Sequence, residues 1–257
     1  MPLSVWALAL TQPLLPDYTM TNVHLIPSEP EVILMQTSDS TSRYFDMLMV
    51  TAQTARRYCQ RHGLRYQAFV GLKRGNRPWH ATYNRIDLLQ ELVQRDFRGW
   101  VLFVDADAWI ADMEFDLPAY LRDKSQYAMI AAPAGHSTDF FWNVNIGVML
   151  FNLAHPFMRA IIRDWESFLS RYQLERDAID WNGQIPDDQG MFHQILDKHP
   201  ESADLVLHEE KSFFNSPWAS FVRQAIRAEN ADIEQRLHHV AGEVSAVLER
   251  SAAAGPA

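Results

Sequence analysis

Short apolar runs alternate along this chain with stretches whose apolar residues recur every three or four positions. Val32 to Gln36 is such a run, closed by Thr37, Ser38 and Asp39, and it reads as a buried first strand. Phe45, Leu48, Met49, Ala52, Ala55 and Cys59 then mark one face of a helix, and Gly63 stands where that helix should stop. Tyr66 to Val70 returns to the extended pattern. A second helix, about His80 to Gln94, turns Ile86, Leu89 and Val93 inward, and Trp100 to Val104 is another continuous apolar run. Three strand-then-helix units in a row predict an α/β fold: one Rossmann-like domain with a mostly parallel central sheet flanked by helices. Ligands bind such sheets beyond the carboxyl ends of the strands.

Further along, Tyr127 to Ala132 predicts a fourth strand, followed by a loop from Pro133 to Asn143 that contains Gly135, His136, Asp139 and Trp142. Val144 to Phe151 is extended again. Pro156 opens a helix that should run to about Tyr172, a short helix begins near Asp187, and Leu205 to His208 reads as a late strand. Ala219 to Leu237 has helical character, and the small residues from Ser251 to Ala257 predict a disordered tail. The expected organisation is an N-terminal extension over 1–30, one domain over 31–243 and a C-terminal tail over 244–257.

Composition narrows the partners. The 257 residues carry 32 acids against 23 bases, a formal charge of -9, so the chain offers no broad basic field for a nucleic-acid backbone. An acidic protein can still grip a diphosphate by recruiting a cation, which then becomes the largest local positive charge. Cys59 is the only cysteine, which excludes an intrachain disulfide and a cysteine-based zinc site. Met1 to Pro16 lacks a basic leading region, and no apolar stretch approaches the roughly 20 residues that span a bilayer. A cytoplasmic location without a transmembrane segment is the expectation.

The strongest chemical signal is Trp100-Val-Leu-Phe-Val-Asp105-Ala106-Asp107, an apolar strand that delivers two carboxylates at its end. Alternate residues of an extended chain point to one side, so both acids can converge on one ion. Hard carboxylate oxygens suit magnesium or manganese, which keep positions open for substrate phosphates. The alternative is a solvated acidic turn.

This segment resembles the Asp-X-Asp element of GT-A-fold glycosyltransferases, above all the retaining galactosyl-, xylosyl- and mannosyltransferase family of yeast and plants. Tyr58 to Tyr66 is similar to the family's helix end and second strand. Asn145-Ile-Gly147-Val resembles its Asn-X-Gly-Val segment, Asp188-Gln189 its acid and glutamine near the reacting sugar, and His239-Val-Ala-Gly242 its His-X-Ala-Gly element. The resemblance spans roughly Val32 to Gly242 and rests on the joint order of short pieces. It implies a single GT-A domain that transfers a hexosyl or pentosyl group from a UDP-sugar to a glycan or other hydroxyl acceptor. It also implies manganese (or magnesium) held by Asp105, Asp107 and His239. Asp105, Arg85, Asn145 and Gly147 would then contact the donor, and Asp188 and Gln189 would serve catalysis.

Each assignment has a plainer counterpart. His238 and His239 also fit a surface helix that continues through Val244 and Val247. Asn145 also fits a residue that satisfies buried backbone groups, and Gly147 a bulge or close packing in a strand. Asp187 and Asp188 suit the first turn of a helix after Pro186. Trp142, and the cluster Phe213, Phe214, Asn215, Pro217 and Trp218, suit either a sugar surface or half-buried packing. Two other functions use similar residues. A haloacid-dehalogenase-like phosphatase would take Asp105 as nucleophile and Asp107 as acid/base, and a silent nucleotide- or sugar-binding module would use the fold without turnover.

Overall fold

The computed structural model describes residues 30–135, 139–177, 185–226 and 232–253. The elements follow in the order β1 Val32–Ser38, α1 Arg43–His62, β2 Arg65–Val70, α2 Asn84–Gln94, β3 Trp100–Val104, β4 Ala108–Ile110, α3 Leu117–Leu121, β5 Met129–Pro133 and β6 Val144–Asn152. Then come α4 Pro156–Leu169, α5 Leu174–Asp177, α6 Asp188–Leu196, β7 Val206–His208, β8 Phe214–Ser216, β9 Val222–Gln224 and α7 Ile233–Ala253.

Six strands form the central sheet in the order β2-β1-β3-β6-β5-β7. β1 runs parallel to β2 and β3, and β5 runs parallel to β7, while β6 is antiparallel to both of its neighbours, β3 and β5. The sheet is therefore mixed where the apolar runs predict a mostly parallel one. The connection from β5 to β6 is short, and a direct connection returns the chain antiparallel, whereas a parallel neighbour needs a crossover. β3 and β5, and most of β1 and β6, are apolar because helices or a second sheet cover both faces, whereas the edge strand β2 is only partly buried. Ile33, Met35, Val101, Phe103, Met149 and Phe151 pack with α2, α4 and α6; Val32, Leu34, Trp100, Leu102, Val148 and Leu150 pack with α1, α7 and the small sheet β4-β9-β8.

Local chemistry sets the boundaries that matter for the site. Ser42 caps α1 by accepting a hydrogen bond from Tyr44 N–H, and Gly63 ends it in the left-handed region at φ 64, where a side chain would be strained. The second helix starts as a tighter 3-10 segment over Pro78–Tyr83 before α2 takes over. Asn84 pins this junction by donating to Thr37 Oγ1 at 2.9 Å and to the Gly71 carbonyl at 2.8 Å.

The C-terminal part differs from the sequence expectation. Ala219 to Leu237 is not a helix from its start: β9 occupies Val222–Gln224, paired with β4, and α7 begins at Ile233. Three-residue strands are too short to display a period of two, so Phe221, Val222 and Ala225 are read at helical spacing just as easily. Nor does the domain end at 243. α7 continues to Ala253 and buries Val244, Val247 and Ser251, and Arg61 donates to Ser251 Oγ at 3.3 Å. Residues 1–29 of the expected extension, His136 of the expected loop and 254–257 of the expected tail lie outside the described residues. Val244→Ala and Val247→Ala should each lower the unfolding free energy by about 2 kcal/mol, since each removes two buried methyl groups. Urea unfolding measures this, and losses below about 0.5 kcal/mol for both would make 244–253 an appendage.

Candidate active site

Asp105 and Asp107 lie in the turn between β3 and β4, and the surrounding backbone fixes that turn from several sides. Asp105 N–H donates to the Gly147 carbonyl at 2.7 Å, and Ala108 N–H closes the turn onto the Asp105 carbonyl at 3.0 Å. Thr51 Oγ1 donates to the Ala106 carbonyl at 3.0 Å, and the buried Gln36 amide donates to the carbonyls of Asp105 and Ala108, both at 3.4 Å. The two carboxylates converge through this turn rather than through the alternation of an extended strand. Their meeting point is Gln224 on β9, whose Nε2 lies 3.2 Å from Asp105 Oδ2 and 3.0 Å from Asp107 Oδ1.

Each carboxylate gives its other oxygen to an arginine. Arg85, buried in the first turn of α2, places Nη2 at 2.6 Å from Asp105 Oδ1 and Nε at 2.7 Å from Asp188 Oδ2. Its guanidinium also stacks over Phe103 at 4.2 Å and donates to the Ile146 carbonyl. Arg236, buried in α7, places Nη2 at 2.5 Å from Asp107 Oδ2 and 2.7 Å from the Ala225 carbonyl, with Nη1 3.2 Å from Tyr44 Oη. Three carboxylates thus meet two guanidinium groups. Burial pushes the acids of Asp105, Asp107 and Asp188 up; Arg85 opposes this at Asp105 and Asp188, and the hydrogen bond from Gln224 together with Arg236 opposes it at Asp107. Asp39, at the end of β1, goes the other way. Burial also works to raise it, but hydrogen bonds from Ser42 and Thr41 outweigh that and hold it below the usual carboxylate range.

A cavity of about 640 Å³ opens here, lined by Thr37, Ser38, Trp79, Asp105, Asp107 and Gln189 among others. It lies beyond the carboxyl ends of β1 and β3, as expected for a sheet of this kind. Asp105 Oδ2 and Asp107 Oδ1 are the pair with which this site could hold a hard cation.

The remaining candidates divide. Asn145 and Gln189 line the cavity. Gln189 Oε1 accepts from Ile146 N–H at 3.1 Å, and Asn145 Oδ1 accepts from Gly147 N–H at 2.9 Å. Gly147 is glycine for a spatial reason: a Cβ there would stand 2.6 Å from Gln224 Nε2 and 2.9 Å from Asp105 Oδ2. Asp187 caps α6 by accepting from Gly190 N–H at 2.6 Å. Asp188 sits behind the cavity lining, held by Arg85 and by Thr82 Oγ1 at 2.5 Å.

His239 does not join Asp105 and Asp107. It is exposed on α7, with its ring 6.4 Å from that of Trp109. Arg236, Val240, Val244, Val247 and Ser251 form the buried stripe of α7, and at 3.6 residues per turn His239 falls roughly 100° from the centre of that stripe. The helix reading of this segment is the one the structure adopts. Among the described residues, no group of three or more His, Cys, Asp or Glu side chains is arranged to hold a metal ion. Phe213 and Phe214 are packing residues: Phe213 stacks on Phe221 and packs against Phe115, Tyr120 and the buried Phe214, while Trp218 is 68% exposed. Trp142 stacks on Phe140 with centroids 5.0 Å apart. Arg236 and Gln224 carried no signal in the sequence, because only the pairing of β9 with β4 and the docking of α7 bring them to the turn.

No family model matches the sequence, and no curated protein matches it significantly. Solved structures do share its fold. A glycosyltransferase involved in glycosylation of the major capsid of PBCV-1 superposes with a TM-score of 0.59 at 13% identity, over 82% of this chain and 98% of that one. The apo form of the glycosyltransferase GlyE from Streptococcus pneumoniae TIGR4 gives 0.51 at 12% identity, over 88% of this chain. The match spans 64% of GlyE. The chain is thus a single α/β domain with a mixed central sheet flanked by helices, the GT-A-like fold of these glycosyltransferases.

Gly147→Ala should fold yet cost about 1–3 kcal/mol, because the new methyl group displaces Gln224 and Asp105. Thermal melts of the single variants and of Gly147→Ala with Gln224→Ala should show a smaller cost in the double variant. Strict additivity would mean that the close approach at Gly147 is unimportant.

Proposed function

We propose that the protein is a glycosyltransferase. In this reading it takes a hexosyl or pentosyl group from a nucleotide-diphosphate sugar, with UDP as the favoured carrier, and passes it with retention to a hydroxyl of a glycan or other acceptor. The observation that carries this is the convergence of Asp105 and Asp107 at the end of β3, in a cavity of about 640 Å³. That volume is in the range of small-molecule sites. The shared fold supplies the framework, and these side chains supply the chemistry.

The donor set fits manganese or magnesium: two hard oxygens face one point, and the carboxylates outnumber the guanidinium groups around them. When bound, the cation would offset the charge that grows on the departing diphosphate as the sugar–oxygen bond breaks. Asp105 and Asp107 would hold it, while Arg85 and Arg236 fix their other oxygens. Gln189 reaches the cavity from the first turn of α6, and its side-chain carbonyl would steady the cation-like sugar centre. Asn145 borders the donor, and Gly147 serves its binding by leaving out a side chain beside Asp105 and Gln224. Asp188 acts through Arg85 as a positioning residue. No helix among the described residues is long and apolar enough to cross a membrane; a cytoplasmic location belongs to the proposal.

Donor turnover on a panel of UDP-, GDP- and ADP-sugars should depend on added manganese. Asp107→Asn should lower kcat/KM by on the order of 100-fold, as expected for losing charge stabilisation in the transition state. NMR of the first-formed product should show the donor's anomeric configuration retained. Equal turnover without a cation and in Asp107→Asn would end the metal assignment. Phosphate release from simple sugar phosphates would favour the phosphatase, and tight UDP binding without turnover would favour a silent binding module.

A further inference from the structure

We propose that Gln224 is the third oxygen ligand of the cation site, turning its side-chain amide over when a divalent ion enters. This rests on the metal-dependent reading above and adds a residue that the family resemblance does not provide.

Strand pairing puts Gln224 there. It stands opposite Ala108 in the β4–β9 ladder, and Ala225 N–H donates to the Asp107 carbonyl at 3.0 Å, so β9 is tied to the acidic turn through its backbone. The side chain is buried, at 7% exposure, and it lines the cavity. Its two polar atoms have opposite circumstances. Nε2 is shared between Asp105 Oδ2 and Asp107 Oδ1, whereas Oε1 is buried with no hydrogen-bond partner.

That asymmetry fits a cation site. The two carboxylate oxygens left over by Arg85 and Arg236 face one amide nitrogen, the only polarity an amide can offer to two anions. Three carboxylates share only two guanidinium groups, so a cation entering between Asp105 and Asp107 would find acids not yet matched one to one by arginines. Nitrogen and oxygen of an amide are nearly equal in size, and the terminal torsion of glutamine is broad and roughly two-fold. Rotation about it therefore exchanges Oε1 for Nε2 within the same space. With a positive ion between the acids, the preferred end reverses: the carbonyl becomes a hard oxygen ligand, of the kind magnesium and manganese accept beside carboxylates. Gly147 leaves room for either orientation, since a Cβ there would lie 2.6 Å from Nε2 and 2.7 Å from Oε1. His239, exposed on α7, is replaced in this role by a residue from the neighbouring strand.

Manganese binding to the full chain, with MnCl2 alone and then with UDP present, can be followed by electron paramagnetic resonance of the free ion and by calorimetry. Gln224→Met, which keeps the length and removes the oxygen, should weaken manganese binding about 10-fold or more. Gln224→Glu should bind at least as tightly as the wild type. Glutamate supplies an oxygen but cannot donate a hydrogen bond, so it replaces a ligand and fails to replace a mere N–H donor. Without a cation, three facing carboxylates should lower the melting temperature of Gln224→Glu, and manganese should raise it further than it raises the wild type. In the unsubstituted protein, the side-chain amide resonance of Gln224 should shift when diamagnetic magnesium is added.

Manganese binding by Gln224→Met within twofold of wild type, with binding lost in Asp107→Asn, would overturn the role of Gln224 and leave the carboxylate site standing. Loss of binding in both Gln224→Met and Gln224→Glu would make Gln224 a hydrogen-bond donor only, and an unmoved amide resonance at saturating magnesium would count equally against it. Identical manganese binding by wild type and Asp107→Asn would remove the metal site itself.

Discussion

Carboxylates gathered at the end of a buried β-strand must find positive charge, and the architecture around β3 answers that requirement. Desolvation of an unpaired carboxylate costs several kcal/mol, enough to rival the whole stability of a domain. Arg85 and Arg236 meet most of the demand, and neither is near Asp105 and Asp107 in the chain. The fold brings them together: α2 docks on one face of the sheet, α7 on the other, and the acidic turn is caught between their guanidinium groups. Packing and electrostatics are therefore the same problem here. A helix that slid by one turn would strip an acid of its partner, so the ion pairs specify how α2 and α7 sit as well as depend on it.

The same constraint assigns work to residues that would otherwise look incidental. Thr51 and Gln36 hold the carbonyls of the turn, so the carboxylates cannot swing away to solvent. Gly147 gives up a side chain so that β6 can pass beside Asp105. Phe103 offers its ring face to Arg85, which steadies a cation already paired with Asp105 and Asp188 and bonded to the Ile146 carbonyl. None of these groups is reactive. They restrict where the reactive oxygens can point, which is how preorganised polar sites gain strength over water.

The sequence carried part of this. Val32 to Gln36 and Trp100 to Val104 are continuous apolar runs because both faces of those strands are covered, and Gly63 is the only residue type that ends α1 in its left-handed turn without strain. Asp105 and Asp107 were legible because a strand end is a local feature. Arg236 and Gln224 were not, since long-range pairing decides their neighbours and a lone arginine or glutamine has no local signature. Val222 to Gln224 failed for a different reason: three residues cannot distinguish a period of two from one of 3.6. The order of short motif-like segments points to His239, but order along a chain does not fix the face of a helix. Once Val240, Val244 and Val247 claim the core, the helical repeat turns His239 to solvent.

What separates this cluster from an inert ion-pair network is that it does not close. A structural network satisfies every member, because a half-satisfied one is worse than an apolar core. Here the last acid has no guanidinium of its own, one amide nitrogen serves two carboxylates, and the amide's oxygen is buried without a partner beside a cavity. Asp105 is also the least enclosed of the three acids, with 31% of its side chain exposed against 9% for Asp107 and 7% for Asp188. The deficit of positive charge is thus greatest where the cavity reaches the carboxylates. In the proposed metal-dependent reaction, a cation arriving from the cavity would meet Asp105 first, and the buried arginines behind the acids would hold their other oxygens in place.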